Sequence, residues 1–504
     1  ERLNVWFVSK DEPATEEMHF YAGKFSVEPL TLSTSTEQVA LASANGLAMP
    51  ALNTLLPESF AVDHPAGEPV KVIATDNAEF WLQGSAIFPE QPKGFTQLQL
   101  NTSEQTKGPE AGVLSALWVD LYRQQQTTLL TEASIAGMNA SVSPSFGIQM
   151  TFSGFTDKQP ELIKRSLEAL RIEPSEEEFI QAVDRFTRGL ENSRFGFPVR
   201  QLFPAIRRLT QTGAFNQEDL LQAANAATLE ALSGHIEQQL STAYVRGYRF
   251  GNYSEEDVQS LADLIARVLP NRSGDTYTRA ATYAPQPGST LVYQENLPVE
   301  DLGMAYLFAA PKASIENVAK GELLAAHLSN RAFNQLRTEE QLGYAAGGFA
   351  TQLGDHPMVG FYIQTPVKAP IAMLERFDDY RAEFASDLEA LEQAEFESIK
   401  AGVLTDLTQP PKNLGEEAGP FLIDWNRERY NFDTRTRLIA AVEQVTLDAV
   451  RDYYAETVMT EAASRVLVQL KGTAFADEPF AEIEGAQIVE DVSTFHQSMP
   501  VQPR

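Results

Sequence analysis

Two side chains in the C-terminal part of the chain are of types that hold polar ligands. Arg337 and Tyr344 lie in the segment Phe333-Asn-Gln-Leu-Arg337-Thr-Glu-Glu-Gln-Leu-Gly-Tyr344. A guanidinium offers fixed, permanently charged donors, and a phenol offers one directed hydrogen bond. These two residues are therefore the best functional candidates in the chain.

The residues before Arg337 predict the helix that positions it. Leucine or alanine recurs at every fourth position, which would form one buried stripe on a helix. Arg337 follows at the C-terminal end of that helix, where the helix dipole stabilises a cation. Spacing alone leaves two interpretations open: the pair is functional, or Arg337 is a helix-end charge and Tyr344 is half-buried strand packing. The stripe consists of Leu324, Leu328, Ala332 and Leu336.

The sequence contains an internal duplication, so the candidate residues can be compared with the aligned positions of the other copy. Three pairs of positions recur at almost the same offset, since 396 − 179 = 217, 432 − 215 = 217 and 446 − 228 = 218. A shared register of this kind predicts a duplicated domain of about that length. The pairs are Phe179 with Phe396, Phe215 with Phe432, and Thr228 with Thr446.

The two copies differ where the candidate residues lie. Segment 129–137 aligns with segment 336–344, since 338 − 131 = 207, and in both a helix is predicted to end in a turn that leads to a strand. Apolar and Thr-Glu positions are shared, so the common frame is structural. The second copy alone has Arg337 and Tyr344, where the first copy has Leu130 and Gly137.

The order of these patterns predicts an α+β fold with two duplicated domains. Each domain is expected to be an antiparallel-type sheet with helices packed on one face. We expect residues 1–69 to hold the last strand of a preceding domain, at residues 3–8, plus a connector. Residues 70–284 would be a first, degenerate repeat, and residues 285–504 a second repeat that carries the candidate pair. Since the chain opens at Glu1 without a methionine, we expect it to be a piece of a longer or processed product.

Composition excludes several classes of protein. The net charge of the 504-residue chain is −30, from 69 acidic against 39 basic residues. Such a surface repels a phosphate backbone, so we expect no nucleic-acid partner. The longest apolar stretch, residues 302–310, has about half of the ~18 residues that a membrane helix needs, so it predicts a buried strand and no membrane span. The sequence contains no cysteine, which excludes disulfides, thiolate zinc sites and cysteine nucleophiles.

The histidines are spaced too widely for the zinc motifs His-Glu-x-x-His and His-x-x-Glu-His. A catalytic zinc needs about three protein ligands, so we expect no metal site in this chain. No Gly-x-Ser-x-Gly turn for a nucleophilic serine occurs either. His327, on the predicted helix, is interpreted as a partner at a domain contact. The six histidines are His19, His64, His235, His327, His356 and His496.

The candidate segment resembles a signature of the pitrilysin/insulinase family of metallopeptidases. Residues 333–344 match the pattern F-x-x-L-R-T-x-x-Q-L-G-Y of the C-terminal half of those enzymes, and Gly154-Phe-Thr-Asp157-Lys-Gln-Pro160 resembles a segment of their third domain. Residues 1 to about 21 resemble the final hairpin of the domain before it. The resemblance covers essentially the whole chain. It implies four similar α+β domains, two in each half, that close around a peptide.

The resemblance also implies roles for individual residues. Arg337 and Tyr344 would reach the bound peptide near the scissile carbonyl and complete a site in the other half, and Phe333 would line the pocket beside the cleaved bond. Amide hydrolysis passes through an oxyanion that preorganised donors stabilise. Zinc is expected in the N-terminal half, so this chain would carry no cofactor and would be inactive alone.

The leading hypothesis is therefore the non-zinc-binding C-terminal half of a zinc metalloendopeptidase that degrades peptides. Its partners would be the N-terminal half, in the same chain or a separate one, and peptide substrates. The alternative is a non-catalytic peptide-binding or scaffold subunit of the same family. Gly347 and Gly348 are expected to permit a bulged edge strand or the close approach of a peptide. A bacterial periplasmic location is suggested by the family resemblance alone.

Overall fold

Two compact units make up the chain, residues 1–54 and residues 55–504. In the first unit, strand β1 (Glu16–Glu17) pairs antiparallel with β2 (Lys24–Phe25). The strand expected at residues 3–8 lies partly outside the described residues, and the described residues 6–8 are not in a strand. The computed structural model describes residues 6–9, 11, 13–19, 22–29, 51–62, 67–104, 107–270, 272–274 and 276–502.

The second unit contains two six-stranded sheets and the helices that cover them. The first copy forms the sheet with the order β3-β4-β8-β5-β7-β6. Its strands are β3 (Val70–Thr75), β4 (Ala78–Gln83), β5 (Lys93–Asn101), β6 (Met138–Ser145), β7 (Gly147–Phe155) and β8 (Tyr244–Gly251). Its helices are α1 (Pro109–Gln125), α2 (Thr127–Ile135), α3 (Gln159–Glu168), α4 (Glu176–Ser193), α5 (Pro198–Thr210), α6 (Gln217–Ala226), α7 (Leu229–Thr242) and α8 (Glu255–Val268).

The second copy forms the sheet with the order β11-β12-β10-β13-β9-β14. Its strands are β9 (Thr290–Asn296), β10 (Leu302–Ala309), β11 (Ala345–Leu353), β12 (His356–Thr365), β13 (Arg465–Lys471) and β14 (Gln487–Ile488). Its helices are α9 (Ile315–Ala332), α10 (Pro370–Ala390), α11 (Gln393–Thr408), α12 (Leu414–Asn426), α13 (Thr434–Gln444), α14 (Leu447–Tyr454) and α15 (Val492–Ser498), with π-helical turns at Phe333–Glu339 and Ala455–Met459 and a 3₁₀ turn at Thr473–Phe475.

The two sheets share one strand order, which confirms the α+β fold with two duplicated domains. From one edge inwards, β6-β7-β5-β8-β4 corresponds to β11-β12-β10-β13-β9. The expected antiparallel pairing holds for most neighbours, but β4 pairs parallel with β8 and β9 pairs parallel with β13. A parallel pair needs a long crossover, and here the other strands and the helices of each copy supply it. The remaining edges differ, because β3 is antiparallel to β4 whereas β14 is parallel to β9.

Local contacts confirm the register that the sequence predicted. Thr228 and Thr446 are both helix N-caps, and their hydroxyls accept hydrogen bonds from the backbone nitrogens of Ala231 and Ala449 at 3.1 and 3.2 Å. Phe179 and Phe396 are buried, as expected of core positions. The proposed boundaries at residues 69/70 and 284/285 stay predictions.

Each sheet is covered on one face by helices of its own copy and on the other by a helix of the other copy. The expectation of helices on a single face was therefore incomplete. Helix α5, from the first copy, packs on the second sheet through Leu202, Ala205, Ile206 and Leu209. Helix α12, from the second copy, packs on the first sheet through Leu414, Ala418 and Trp425.

Strand β10 is buried along its whole length, as the apolar run of residues 302–310 predicted. A run of this kind is typical of a central strand with both faces covered. Among the described residues, no helix is long and apolar enough to cross a membrane.

Candidate functional site

A π-helical turn carries the first part of the candidate site. Helix α9 ends at Ala332, and the chain continues as a π-helix over Phe333–Glu339. Leu336 is fully buried, in agreement with the predicted stripe, and it anchors this turn to the core of the second copy. The π-helix was not predicted, because residue spacing does not distinguish a π-turn from the end of an α-helix. Turns of this kind are frequent at functional sites.

Arg337 lies between the other two candidate residues. Its guanidinium is 4.5 Å from the centroid of the Phe333 ring, and its Nε donates a hydrogen bond to the backbone carbonyl oxygen of Tyr344 at 3.1 Å. Within the part of the chain that the structure describes, no carboxylate forms an ion pair with Arg337. The charge is therefore directed to solvent and has donors left for a ligand.

The structure thus places Arg337 against the ring of Phe333 and against the backbone carbonyl of Tyr344. Phe333 is 41% exposed and Tyr344 is 75% exposed. The interpretation of Tyr344 as half-buried strand packing is therefore wrong. The other interpretation, in which Arg337 is a helix-end charge, agrees with its position but leaves its exposed donors without a role.

The turn between the π-helix and β11 has a fixed backbone. Gln341 has a φ of 53°, a conformation that few non-glycine residues adopt. Leu342 is buried, and its carbonyl accepts a hydrogen bond from the Thr365 hydroxyl at 2.5 Å. A Cβ on Gly343 would lie 1.8 Å from the carbonyl oxygen of Gln364, so only glycine fits there. These contacts fix where Tyr344 leaves the turn.

Strand β11 follows Tyr344 directly and is the edge of the second sheet. It pairs with β12 in one unbroken register, so the expected bulge at Gly347 and Gly348 is not there. A Cβ on Gly348 would lie 2.3 Å from the Leu328 side chain, and one on Gly347 would lie 2.9 Å from the ring of Tyr362. Both glycines therefore pack closely against neighbouring side chains, and the close approach of a peptide at this edge stays a prediction.

An ion-pair network that sequence reasoning missed lies behind the turn. Arg376, on α10, binds both carboxylate oxygens of Glu340, with Nε–Oε2 and Nη2–Oε1 distances of 2.8 and 2.6 Å. The hydrogen bonds from Arg376 lower the pKa of Glu340. The pairing joins residues 36 positions apart, and no local pattern in the sequence indicates it.

Metal binding has no support from the described residues, among which no three histidine, cysteine or acidic side chains lie close enough to hold an ion. His327 does not mark a domain contact, since its Nε2 lies 3.0 Å from Oδ2 of Asp387, within the same copy. Burial, together with the charge of Arg331, lowers the pKa of His327, so the neutral ring donates to Asp387. His235 is also buried, 2.9 Å from the hydroxyl of Ser115. Both histidines hold helices together.

Two family models match the chain. The middle or third domain of peptidase M16 matches residues 1–223, and the C-terminal lobe domain 4 of PQQ synthase PqqF-like proteins matches residues 323–422. The second match includes the whole candidate segment.

Curated relatives and solved structures agree with those matches. Protease 3 of Escherichia coli (strain K12) is 24% identical over 511 residues, which cover 99% of this chain and 52% of the relative. The A-factor-processing enzyme of Saccharomyces cerevisiae is 24% identical over 477 residues, 91% of this chain and 46% of the relative. The chain spans about half the length of the curated relatives it matches.

The crystal structure of pitrilysin superposes with a TM-score of 0.88 at 24% identity and covers 99% of this chain and 54% of that one. A structure from Pseudomonas fluorescens, described as a peptidase M16 inactive domain, has a TM-score of 0.58 at 14% identity and covers 81% of this chain and 98% of that one. These two likenesses show the fold. The family models over residues 1–223 and 323–422, together with Protease 3, which matches over 99% of the chain, show that the chain belongs to the pitrilysin family of peptidases, M16.

Proposed function

We propose that this chain is the non-zinc-binding C-terminal half of a zinc metalloendopeptidase. It supplies one wall of the chamber, contacts with the peptide, and donors for the transition state. The single observation that carries the proposal is the cluster of Arg337, Tyr344 and Phe333 at the start of an edge strand, where Arg337 has donors free for a ligand.

The chemistry of the cluster supports these roles. When water adds to the scissile amide, the carbonyl oxygen becomes an oxyanion, and donors that are already in place stabilise it more than they stabilise the substrate. The guanidinium of Arg337 and the phenol of Tyr344 are the proposed donors. Phe333 offers apolar surface for a side chain beside the cleaved bond, and its ring also restricts the Arg337 guanidinium.

In this proposal, zinc is bound by a part of the enzyme outside this chain. The described residues do not fit the ion, because no group of three ligand side chains occurs among them. The metal, and the activation of water that it supplies, would belong to the part of the enzyme before this half. The residues of this chain bind and orient the peptide and polarise its carbonyl.

Cleavage of a quenched fluorescent peptide tests the proposal. We expect this chain alone to be inactive with zinc present, and the chain combined with its upstream half to be active. Arg337→Ala should lower kcat by ~100- to 1,000-fold with little change in KM, since one lost oxyanion donor costs ~2.7–4 kcal/mol. Arg188→Ala, which removes an exposed arginine of α4, is the matched control and should retain activity.

The results separate the proposal from its alternatives. A rise in KM alone for Arg337→Ala would make this residue a ground-state contact. The second candidate, a non-catalytic peptide-binding or scaffold subunit, is favoured by the likeness to a structure described as an inactive domain. Peptide binding without cleavage, with the upstream half and zinc present, would favour that candidate.

A further inference from the structure

A partly buried arginine connects α10 to both ends of the segment that carries Arg337. Arg376 is 11% exposed and makes the two hydrogen bonds to Glu340 described above. Its Nη2 also lies 2.9 Å from Oε2 of Glu383. That same oxygen accepts a hydrogen bond from Nε2 of Gln335 at 2.6 Å. Gln335 and Glu340 lie on either side of Arg337 in the sequence, so the network holds the chain both before and after Arg337.

The first copy contains a simpler version of this contact. Arg165, on α3, donates from both terminal nitrogens to a single oxygen of Glu132, at 3.3 Å each. Glu132 aligns with Glu339, since 339 − 132 = 207, whereas Arg376 binds the next residue, Glu340. A π-turn has more residues per turn than an α-turn, so it directs a later residue towards α10. The shorter, bidentate contact occurs in the second copy, which carries Arg337 and Tyr344.

Stability alone does not account for this network. The Glu340 and Glu383 side chains are 28% and 50% exposed, and ion pairs of such exposure contribute little to stability. In addition, Nη1 of Arg376 is buried without a partner among the described residues. The network does fix direction, because a bidentate guanidinium–carboxylate pair tolerates little rotation. From Glu340 the fixed backbone runs through Leu342 and Gly343 to Tyr344, whose carbonyl holds Nε of Arg337.

We propose that Arg376 is a positioning residue: through Glu340, Glu383 and Gln335 it holds the π-helical turn so that Arg337 and Tyr344 face the bound peptide. This inference rests on the proposed function for its effect on catalysis. In this role Arg376 acts through its neighbours and is not one of the proposed donors to the peptide.

The catalytic test uses this chain combined with its upstream half and the quenched peptide. Arg376→Gln should lower kcat by about 10- to 100-fold with little change in KM, since a displacement of about 1 Å is sufficient for such a loss. Arg376→Lys, which keeps the charge but not the fork, should recover part of the activity. Arg331→Gln removes another ion pair between α9 and α10, with Asp387, and should retain activity.

A double-mutant cycle distinguishes positioning from general stabilisation. If Arg376 acts through Arg337, then adding Arg376→Gln to Arg337→Ala should have much less effect than Arg376→Gln alone. Fully multiplicative losses in the double variant would overturn the proposal.

Cleavage of this chain by added trypsin tests the same contact without relying on the peptidase activity proposed for the protein. The bond after Arg337 lies in the exposed π-turn, and its cleavage rate reports how often that turn opens. We expect Arg376→Gln to raise the rate about tenfold in this chain alone, and Arg331→Gln to leave it unchanged. An unchanged rate for Arg376→Gln would overturn the proposal, even if the enzyme proved inactive and the proposed function failed.

Discussion

The two copies of the fold differ in the segment that joins a helix to an edge strand. In the first copy, α2 is a regular α-helix, and Gly137, with a φ of 74°, leads directly into β6. In the second, a π-helical turn and a fixed turn with a positive φ at Gln341 lead into β11. The register is still the same, since 345 − 138 = 207. The helix-to-strand register that both copies share therefore supports folding. In the second copy, the local change from an α-helix to a π-helical turn directs the side chains of Arg337 and Tyr344 outward.

A second comparison concerns the helices that the copies exchange. Helices α5 and α12 both have 13 residues, start at equivalent positions (414 − 198 = 216), and have a proline at the same place (420 − 204 = 216). Helix α5 packs on the second sheet through buried aliphatic side chains alone, whereas α12 adds the aromatic Trp425 to the aliphatic Leu414 and Ala418. The exchange makes each core depend on the other copy.

The aromatic contact of α12 surrounds a buried charge. The guanidinium of Arg246, on β8, lies between the rings of Tyr277 and Trp425, at 3.9 and 4.3 Å, and its Nε donates to Glu79 at 2.6 Å. Burial raises the pKa of Glu79, but Arg246 and Lys71 outweigh it and the net shift is downward. The pair is therefore ionised, and α12 shields it from water.

The largest expected effect on stability comes from truncating a buried side chain on either of the exchanged helices, α12 or α5. Trp425→Ala should lower the free energy of unfolding by ~3–5 kcal/mol, because it opens a cavity beside the buried guanidinium. Leu209→Ala, at the equivalent position of α5 (425 − 209 = 216), should cost ~2–5 kcal/mol through the aliphatic core alone. Urea denaturation measures both. We expect each variant to unfold in a single transition. Two separate transitions, of which the substitution shifts only one, would show that the copies unfold independently.

The buried histidines of the two copies predict that stability depends on pH. Burial lowers the pKa of His235, in the first copy, from 6.5 to about 4. The unfolded chain takes up a proton near pH 6.5 and the folded one does not, so stability is complete above pH 6.5 and falls by ~3 kcal/mol as the pH drops to 4.

His235→Gln keeps a hydrogen-bonding partner for the Ser115 hydroxyl and removes this titration. The loss of stability between pH 7 and pH 4.5, measured by urea denaturation, should be smaller in the variant by ~2–3 kcal/mol. The pKa of His327, in the second copy, is also lowered, so His327→Gln should change the slope in the same direction. Equal slopes for the wild type and His235→Gln would contradict the prediction.

The smallest expected effect concerns the simpler ion pair of the first copy. Arg165 and Glu132 are both partly exposed, so Arg165→Gln should cost no more than ~1 kcal/mol and should leave the cleavage of peptide unchanged. Its counterpart Arg376→Gln should slow cleavage, as described above. Thermal unfolding and the fluorescent assay, run on both variants, test this contrast. A similar loss of activity in both would mean that the ion pair supports the fold in each copy and positions nothing.

Much of the fold followed from local patterns in the sequence. The N-caps at Thr228 and Thr446 and the buried phenylalanines at 179 and 396 gave the duplication, because capping and helical periodicity depend on residues a few positions apart. The parallel pairs and the exchanged helices did not follow, because they depend on contacts between residues more than a hundred positions apart, which a single sequence does not encode in any short pattern.

At the candidate site, the identity of the functional residues could be read from the amino-acid sequence: an arginine and a tyrosine lie in a frame whose other copy has leucine and glycine. The sequence also predicted the buried stripe that ends at Leu336. The folded structure was needed to show that the helix ends in a π-turn and that Arg376, on α10, forms the bidentate contact with Glu340. It was also needed to show that Tyr344 projects into solvent. The physical reason is that these features balance backbone strain against packing on a neighbouring helix and strand, and that balance exists only once the chain has folded.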